Sequence, residues 1–261
     1  MKKLHLLLLA AASFALTSCL EIKSTVIANK DGTATIEESM LLSAQLAAMA
    51  AAGGGQADQL KGLVMDKEKA EARAKKLGEG VTLKSLEEVK SPDGKTGTKV
   101  VFAVADISKL KYVPFEPEQE GKPSKTEPMT FALSGSTLTI TNPEADKRKE
   151  ADPNKPKKGA AEIAQMKAQM AMMRPMFAGM RLSVEVKGAG GIGSTDATHA
   201  NDGTISYLDI QFDKLMDNAE AFAEIMETGD NGLSMADAAS KFSKVEGLKI
   251  EGKKVVTAEL K

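Results

Sequence analysis

Apolar and polar positions along the chain change their period repeatedly, and each change marks an element. Leu4 to Leu16 is an unbroken apolar run behind Lys2 and Lys3. It is too short to cross a bilayer as a helix, which takes about 20 residues, and has the form of a secretory leader. Alternation follows it. "EIKSTVIANKDGTATIEESMLL" reads as two strands around Asn29-Lys30-Asp31-Gly32, and Asp-Gly between two such runs signals a hairpin. Ser43 to Ala52 predicts a short helix that dissolves in Gly53-Gly54-Gly55. Met65 to Leu77 predicts a second helix, with Asp66 as its N-cap, Glu68 in its first turn, and Lys75 and Lys76 before Gly78. Two further strands, Val81 to Lys90 and Thr98 to Ala105, flank Ser91-Pro92-Asp93-Gly94.

Past this point the pattern loosens and then resumes. Pro114 to Pro128 is rich in Pro, Glu and Lys and reads as an extended surface loop. "MTFALSGSTLTITN" predicts a hairpin turning at Ser134-Gly135-Ser136. Residues 143–159 are almost all charged or proline. They bury too little apolar surface to offset chain entropy, which predicts a mobile loop. Ala160 to Ala178 predicts a helix. "RLSVEVK" then alternates, with Leu182, Val184 and Val186 on one face of a half-buried strand, and Thr204 to Phe212 is its expected partner. Asp213 to Glu227 predicts a helix, and Ser234-Met235-Ala236-Asp237 has the form of a capping box that opens another. The end, "LKIEGKKVVTAELK", reads as a final hairpin around Glu251-Gly252. The whole predicts an α+β fold of mostly antiparallel hairpins with helices packed on one face.

The leader ends in Leu16-Thr17-Ser18-Cys19, which resembles the lipobox of bacterial lipoproteins. In that family the cysteine thiol is diacylated, the leader is cut before it, and the new amino group is acylated. Two or more acyl chains anchor stably where one binds only marginally. Cys19 is the chain's one cysteine, so an intrachain disulfide is excluded. The resemblance implies that residues 1–18 are removed and 19–261 form an extracytoplasmic domain tied to the membrane through Cys19. An aspartate after the cysteine retains enteric lipoproteins at the inner membrane. By that analogy Leu20 points to the outer one. The leader takes Lys2 and Lys3 with it, leaving 33 of the 35 basic residues against 36 acidic ones, a net of −3. That balance argues against nucleic-acid binding. Aromatics are scarce and tryptophan is absent, which argues against sugar binding by ring stacking. No second apolar run approaches membrane-spanning length, so the body is expected to be water-soluble beside the membrane.

Three constellations remain as candidate chemistry. Gly188, Gly190 and Gly193 spell G-x-G-x-x-G after a strand. A dinucleotide site needs a helix directly afterwards, whose N–H groups meet the pyrophosphate. Here Ser194 to Gly203 and then a strand follow, so no nucleotide is expected and the glycines read as a pliable connection between strands. Ile163, Met166, Met170, Met173, Phe177 and Met180 fall on one helical face, and Pro175 breaks or kinks that helix near Arg174. In an exported protein such a face holds Cu(I) or packs as an adaptable apolar surface. With neither histidine nor cysteine beside it, the apolar reading is preferred, and Met166, Met170, Met173, Phe177 and Met180 form the candidate ligand face. The one histidine left after processing, His199, has no nucleophile-elbow sequence to partner it. No catalytic residue, metal site or cofactor is expected, and the chain reads as a non-enzyme.

One order of features carries a family resemblance. The lipobox cysteine leads straight into a strand with an Asp-Gly turn. "VVFAVADI" (Val100 to Ile107), "STLTITN" and "RLSVEVKGAGGIGSTDATHANDGTISYLDIQF" follow. This order resembles the LppM-type bacterial envelope lipoproteins, between Cys19 and Phe212. The resemblance implies an α+β envelope domain that binds lipids or glycolipids. The chain departs from the pattern in its charged insertion and its C-terminal helices. The expected function is thus a lipid-anchored cell-envelope lipoprotein that binds a hydrophobic or amphipathic envelope ligand or a neighbouring envelope protein. The rival classes are an assembly lipoprotein without a small ligand and a Met-rich Cu(I) carrier.

Overall fold

A computed structural model of the chain describes residues 20–52, 65–115, 126–148, 179–230 and 232–261, together with Gln165, Arg174 and Phe177. The expected hairpins form. Strands β1 (Leu20–Ala28) and β2 (Ala34–Leu42) pair antiparallel across the turn at Asn29. There the Gly32 N–H donates to the Asn29 carbonyl, and Gly32 takes the positive φ of 87° that the turn demands. Strands β3 (Val81–Lys90) and β4 (Thr96–Val104) pair the same way. Between the two hairpins lie helices α1 (Ala44–Ala52) and α2 (Lys67–Leu77), the second capped by the Asp66 side chain accepting the Lys69 N–H. Strands β5 (Thr130–Ser134) and β6 (Thr137–Thr141) form the third hairpin.

The strands assemble into two sheets. The larger runs β11-β10-β7-β1-β2-β4-β3, with β7 (Arg181–Gly188), β10 (Thr204–Gln211) and β11 (Leu248–Ile250) on one side of β1, and the two-residue β9 (Ala200–Asn201) added to β10. β7 and β10 pair antiparallel as expected, whereas β1 and β7 run parallel. The smaller sheet runs β5-β6-β12-β8, with β8 (Ile192–Thr195) and β12 (Val255–Leu260). Val26, Ile36 and Phe102 of the large sheet, Leu77 of α2, and Leu138, Ile140 and Val256 of the small sheet belong to one core cluster, each fully buried. A fully buried side chain of this size contributes about 1.5–3 kcal/mol, against about 0–1 for an exposed ion pair. The apolar face therefore sets the register of the large sheet.

The fold is α+β, but the main cover on the inner face of the large sheet is the second sheet, with α2 beside it. The expected C-terminal hairpin does not form. β11 joins β10 in the large sheet, and β12 joins β6 and β8 in the small one. Glu251, fully buried between them, accepts from the Thr198 N–H and hydroxyl and from the Lys253 N–H, which pins the crossing instead of a turn. β7 is buried on both faces, since Ser183 and Glu185 are covered as well as Val184 and Val186. The helix expected over Asp213 to Glu227 is two helices, α3 (Phe212–Asp217) and α4 (Ala219–Asp230). They break at Asn218, whose side chain accepts the Ala221 N–H. The expected capping box opens α5 (Met235–Lys241), where the Ser234 hydroxyl accepts the Asp237 N–H.

The glycine stretch is a crossover. It carries the chain from β7 in the large sheet to β8 in the small one and is held by hydrogen bonds. The Ala189 N–H donates to Ala28, and the Gly191 carbonyl accepts from Lys261. A Cβ on Gly190 would run into the Lys261 carbonyl oxygen, so the glycine permits a close backbone approach. The pliable connection read from the sequence is therefore a pinned one. The expected loop at 143–159 starts as a short helical turn, Pro143–Ala145, with Ala145 fully buried, and residues 149–159 lie outside the described residues.

Candidate functional site

A cavity of about 260 Å³ opens where the large sheet meets the segments that flank β5 and β6, lined mainly by apolar atoms. Val184 of β7 and Leu208 of β10 reach it from the large sheet, and Met235 of α5 from the C-terminal helices. Another wall is the segment Tyr112 to Phe115 with Met129 beside it. Two backbone hydrogen bonds between Tyr112 and Met129, at 2.9 and 2.8 Å, clamp that wall. A third tie comes from α2, where the Arg73 guanidinium donates to the Val113 carbonyl at 2.7 Å and to the Glu38 carboxylate at 2.8 Å. Arg73 and Glu38 are both largely buried, so this ion pair is little screened.

The large sheet positions Tyr207 through an irregularity. Ser206 pairs with Glu185 and Leu208 with Val184, leaving Tyr207 as the extra residue of a β-bulge. Regular alternation would send Tyr207 and Leu208 to opposite faces. With the bulge both line the cavity. The chain's two tyrosines therefore meet at one site. The Tyr112 hydroxyl donates to Ser24, and burial pushes its pKa well up. The Tyr207 hydroxyl has no hydrogen-bond partner among the described residues. Burial, then Glu251 and Asp196, push its pKa further up still.

The polar lining gathers at one side. Asn142 accepts the Glu144 N–H and donates to the Met235 sulfur at 3.7 Å, joining the short turn after β6 to α5. Glu144 accepts the Glu127 N–H at 2.8 Å, and the Lys147 ammonium lies 2.8 Å from both carboxylates. Hydrogen bonds to Glu127 and Glu144 hold the Lys147 pKa above its ordinary value. Arg148 pairs with Asp237 at 3.0 Å. The site is an apolar chamber with internally neutralised charges at one side and two buried phenols.

The residues expected to form the ligand face do not line this cavity where they are described. Phe177 is partly buried and stacks on Phe212, centroids 5.8 Å apart, in a second core with Leu215, Phe222 and Phe242. The Met180 carbonyl accepts the Phe212 N–H, which starts α3 beside that core. Phe177 therefore closes a core. Met166, Met170, Met173 and the lipobox Cys19 lie outside the described residues. His199 uses its carbonyl to accept the Ser206 N–H. The cavity's methionines are Met129 and Met235, and sequence reading missed both. They stand 106 positions apart, one at the start of a hairpin and one in a capping box, and no local period joins them. Among the described residues no three His, Cys, Asp or Glu side chains cluster so as to hold a metal, and no helix is long and apolar enough to cross a membrane.

No family model and no curated protein matches the chain. Among solved structures, it is similar to the folded domain of the LppM protein of Mycobacterium tuberculosis, determined by NMR. The identity is 9%, the alignment covers 76% of this chain and 85% of that one, and the TM-score is 0.33.

Proposed function

We propose that this chain is a non-enzymatic, lipid-anchored lipoprotein of the bacterial cell envelope, whose two-sheet body takes an apolar or amphipathic ligand in the cavity beside its large sheet. The observation that carries the ligand reading is the cavity of about 260 Å³ with its mainly apolar lining. Small-molecule sites are concave, mostly apolar and fitted with a few polar groups, and span about 300–1,000 Å³. A cavity just below that range suits a small ligand or one chain of a larger one. The anchor reading rests on the short apolar leader that ends in Leu16-Thr17-Ser18-Cys19. Leu20, directly after the cysteine, opens β1, so an anchored body hangs from its own sheet without a long tether.

One preparation tests both halves. Cells expressing the chain or its Cys19→Ala variant are fed a labelled fatty acid, and each purified protein is weighed under native and denaturing conditions. Labelling is expected in the parent and absent from Cys19→Ala. Because that variant has no covalent acyl group, any lipid mass it keeps under native conditions is bound by the folded body, and such a mass is expected. Persistent covalent label in Cys19→Ala defeats the anchor. A variant that carries no bound mass and takes up none from an envelope lipid extract defeats the cavity reading.

A further inference from the structure

Helix α1 is at odds with its position. None of its nine residues, Ala44 to Ala52, is charged, in a chain of which 27% is. A helix that is apolar all round belongs in a core or a membrane. Yet Ala44, Gln45 and Ala48 are exposed, Leu46 and Ala47 are half-buried, and neither core cluster includes them. The helix is fixed at its start, where the Ser43 hydroxyl accepts the Leu46 N–H at 3.2 Å. A second apolar surface lies at the same end of the large sheet. Leu20 and Ile22 of β1, Met40 of β2 and Leu182 of β7 share one face there, with Ile22 in register with both Met40 and Leu182. All four are half-buried and outside both core clusters.

The strand register sets both surfaces next to the anchor. Leu20 follows Cys19 directly and pairs with Leu42, and α1 begins two residues after Leu42. Consecutive Cα atoms are about 3.8 Å apart and antiparallel partners about 5.5 Å at most, so α1 begins within about 17 Å of Cys19. Acyl chains on Cys19 hold that residue at the headgroup layer, and an interfacial helix sits about 5–10 Å into the boundary between headgroups and chains. The charges beside this end are closed on one another. Lys95 pairs with Glu21 at 2.8 Å and with Asp93 at 3.0 Å, and Arg181 pairs with Asp209 at 2.7 Å. Contact is left to apolar surface, which gains by leaving water whatever the charge of the lipid. The far end of β1 has the opposite character, with Lys30 and Asp31 exposed in the turn at Asn29.

We propose that the anchor end of the large sheet docks on the bilayer surface, with α1 as its contact helix and the face of Leu20, Ile22, Met40 and Leu182 beside it. This rests on the anchor reading and adds an orientation to it. The body meets lipid at this end and keeps the turn at Asn29 away from it.

The test uses the full acylated chain in phosphatidylcholine vesicles, at less than one copy per vesicle. Acylation of the one cysteine, Cys19, leaves no free thiol, so a new cysteine is the single site for a fluorescent dye. Ala48→Cys reports on α1. Lys30→Cys, about 30 Å along β1 from the anchor end, is the reference. Both positions are exposed, so neither change disturbs the packing. Lipid brominated near the headgroup end of its chains is expected to quench the Ala48 dye about twofold or more, as insertion of about 5–10 Å requires, and to leave the Lys30 dye unchanged. If the protein floats with the vesicles and both dyes are quenched alike, the inference is overturned and the anchor stands. Protection of the Ala48 dye that appears only at several copies per vesicle assigns α1 to a second copy of the chain and also overturns it. Protein that does not float with the vesicles defeats the anchor reading and this inference with it.

Discussion

At the scale of single residues, the two tyrosines show what a side chain's chemistry requires once it is buried. Tyr112 is fully buried and joined to a chain of polar groups through Ser24, Glu38 and Arg73. Tyr207 is almost as deeply buried, and its hydroxyl has no hydrogen-bond partner among the described residues. An unsatisfied buried polar group costs about 1–3 kcal/mol, so its removal should stabilise the empty protein. Tyr207→Phe is expected to raise the unfolding temperature of ligand-free protein by about 2–4 °C per kcal/mol gained. A scanning calorimeter reads this directly, and a fall in that temperature shows that the hydroxyl is satisfied in the folded state. Neither residue was legible as a site in the sequence. In "TISYLDI" plain alternation puts Tyr207 and Leu208 on opposite faces, and only the pairing with β7 reveals the bulge that brings them together.

At the scale of elements, the hairpins and caps were legible because their signals are local. The Asp-Gly turns, the Asp66 cap and the Ser234 cap each fall where the residue types place them. The parallel contact of β1 with β7 was not legible, since the partners lie about 160 positions apart and no turn records them. That contact builds a charged ladder on the outer face, in which Glu185 of β7 meets Lys23 of β1 at 3.1 Å and Lys187 at 3.2 Å. Burial alone would push the Glu185 pKa up, but hydrogen bonds from Lys23 and then Lys187 hold it below its ordinary value of 4.5. The folded protein thus binds fewer protons there than the unfolded chain. The stability this gives is complete above the ordinary value and is lost as the pH falls through the lowered one. Glu185→Gln is expected to flatten the pH dependence of the urea midpoint below about pH 5. A slope that matches the parent assigns acid sensitivity to other carboxylates.

At the scale of the whole molecule, the two sheets are one body because the chain crosses between them repeatedly, among other places at the glycine stretch and at Glu251. The G-x-G-x-x-G pattern suggested a nucleotide loop by its letters, and the strand that follows it excluded that reading from sequence alone. What sequence could not show was the reason for the glycines, because the backbone they admit arrives from Lys261 at the far end of the chain. Gly190→Ala is expected to lose about 1–3 kcal/mol or more, since a Cβ there collides with backbone. Gly193→Ala, whose new atom would sit at ordinary contact distance, 3.6 Å from the Glu259 carbonyl, is expected to stay within about 0.5 kcal/mol. Chemical denaturation of the pair separates close approach from mere flexibility, and equal losses defeat the distinction. Of the candidate ligand face, Phe177 and Met180 are not among the cavity's lining residues, and Met166, Met170 and Met173 lie outside the described residues. A methionine stripe is visible along one segment, whereas the lining joins residues from segments far apart.

The position of β1 has a mechanical consequence. It lies inside the large sheet, paired with β2 from Leu20 to Ala28 and with β7 from Glu21 to Ala28. A pull applied at its N-terminal end acts along the strand and loads both ladders in shear. The hydrogen bonds on either side resist together and do not unzip one at a time. A body suspended in this way withstands drag from its surroundings at the point where an edge strand would peel.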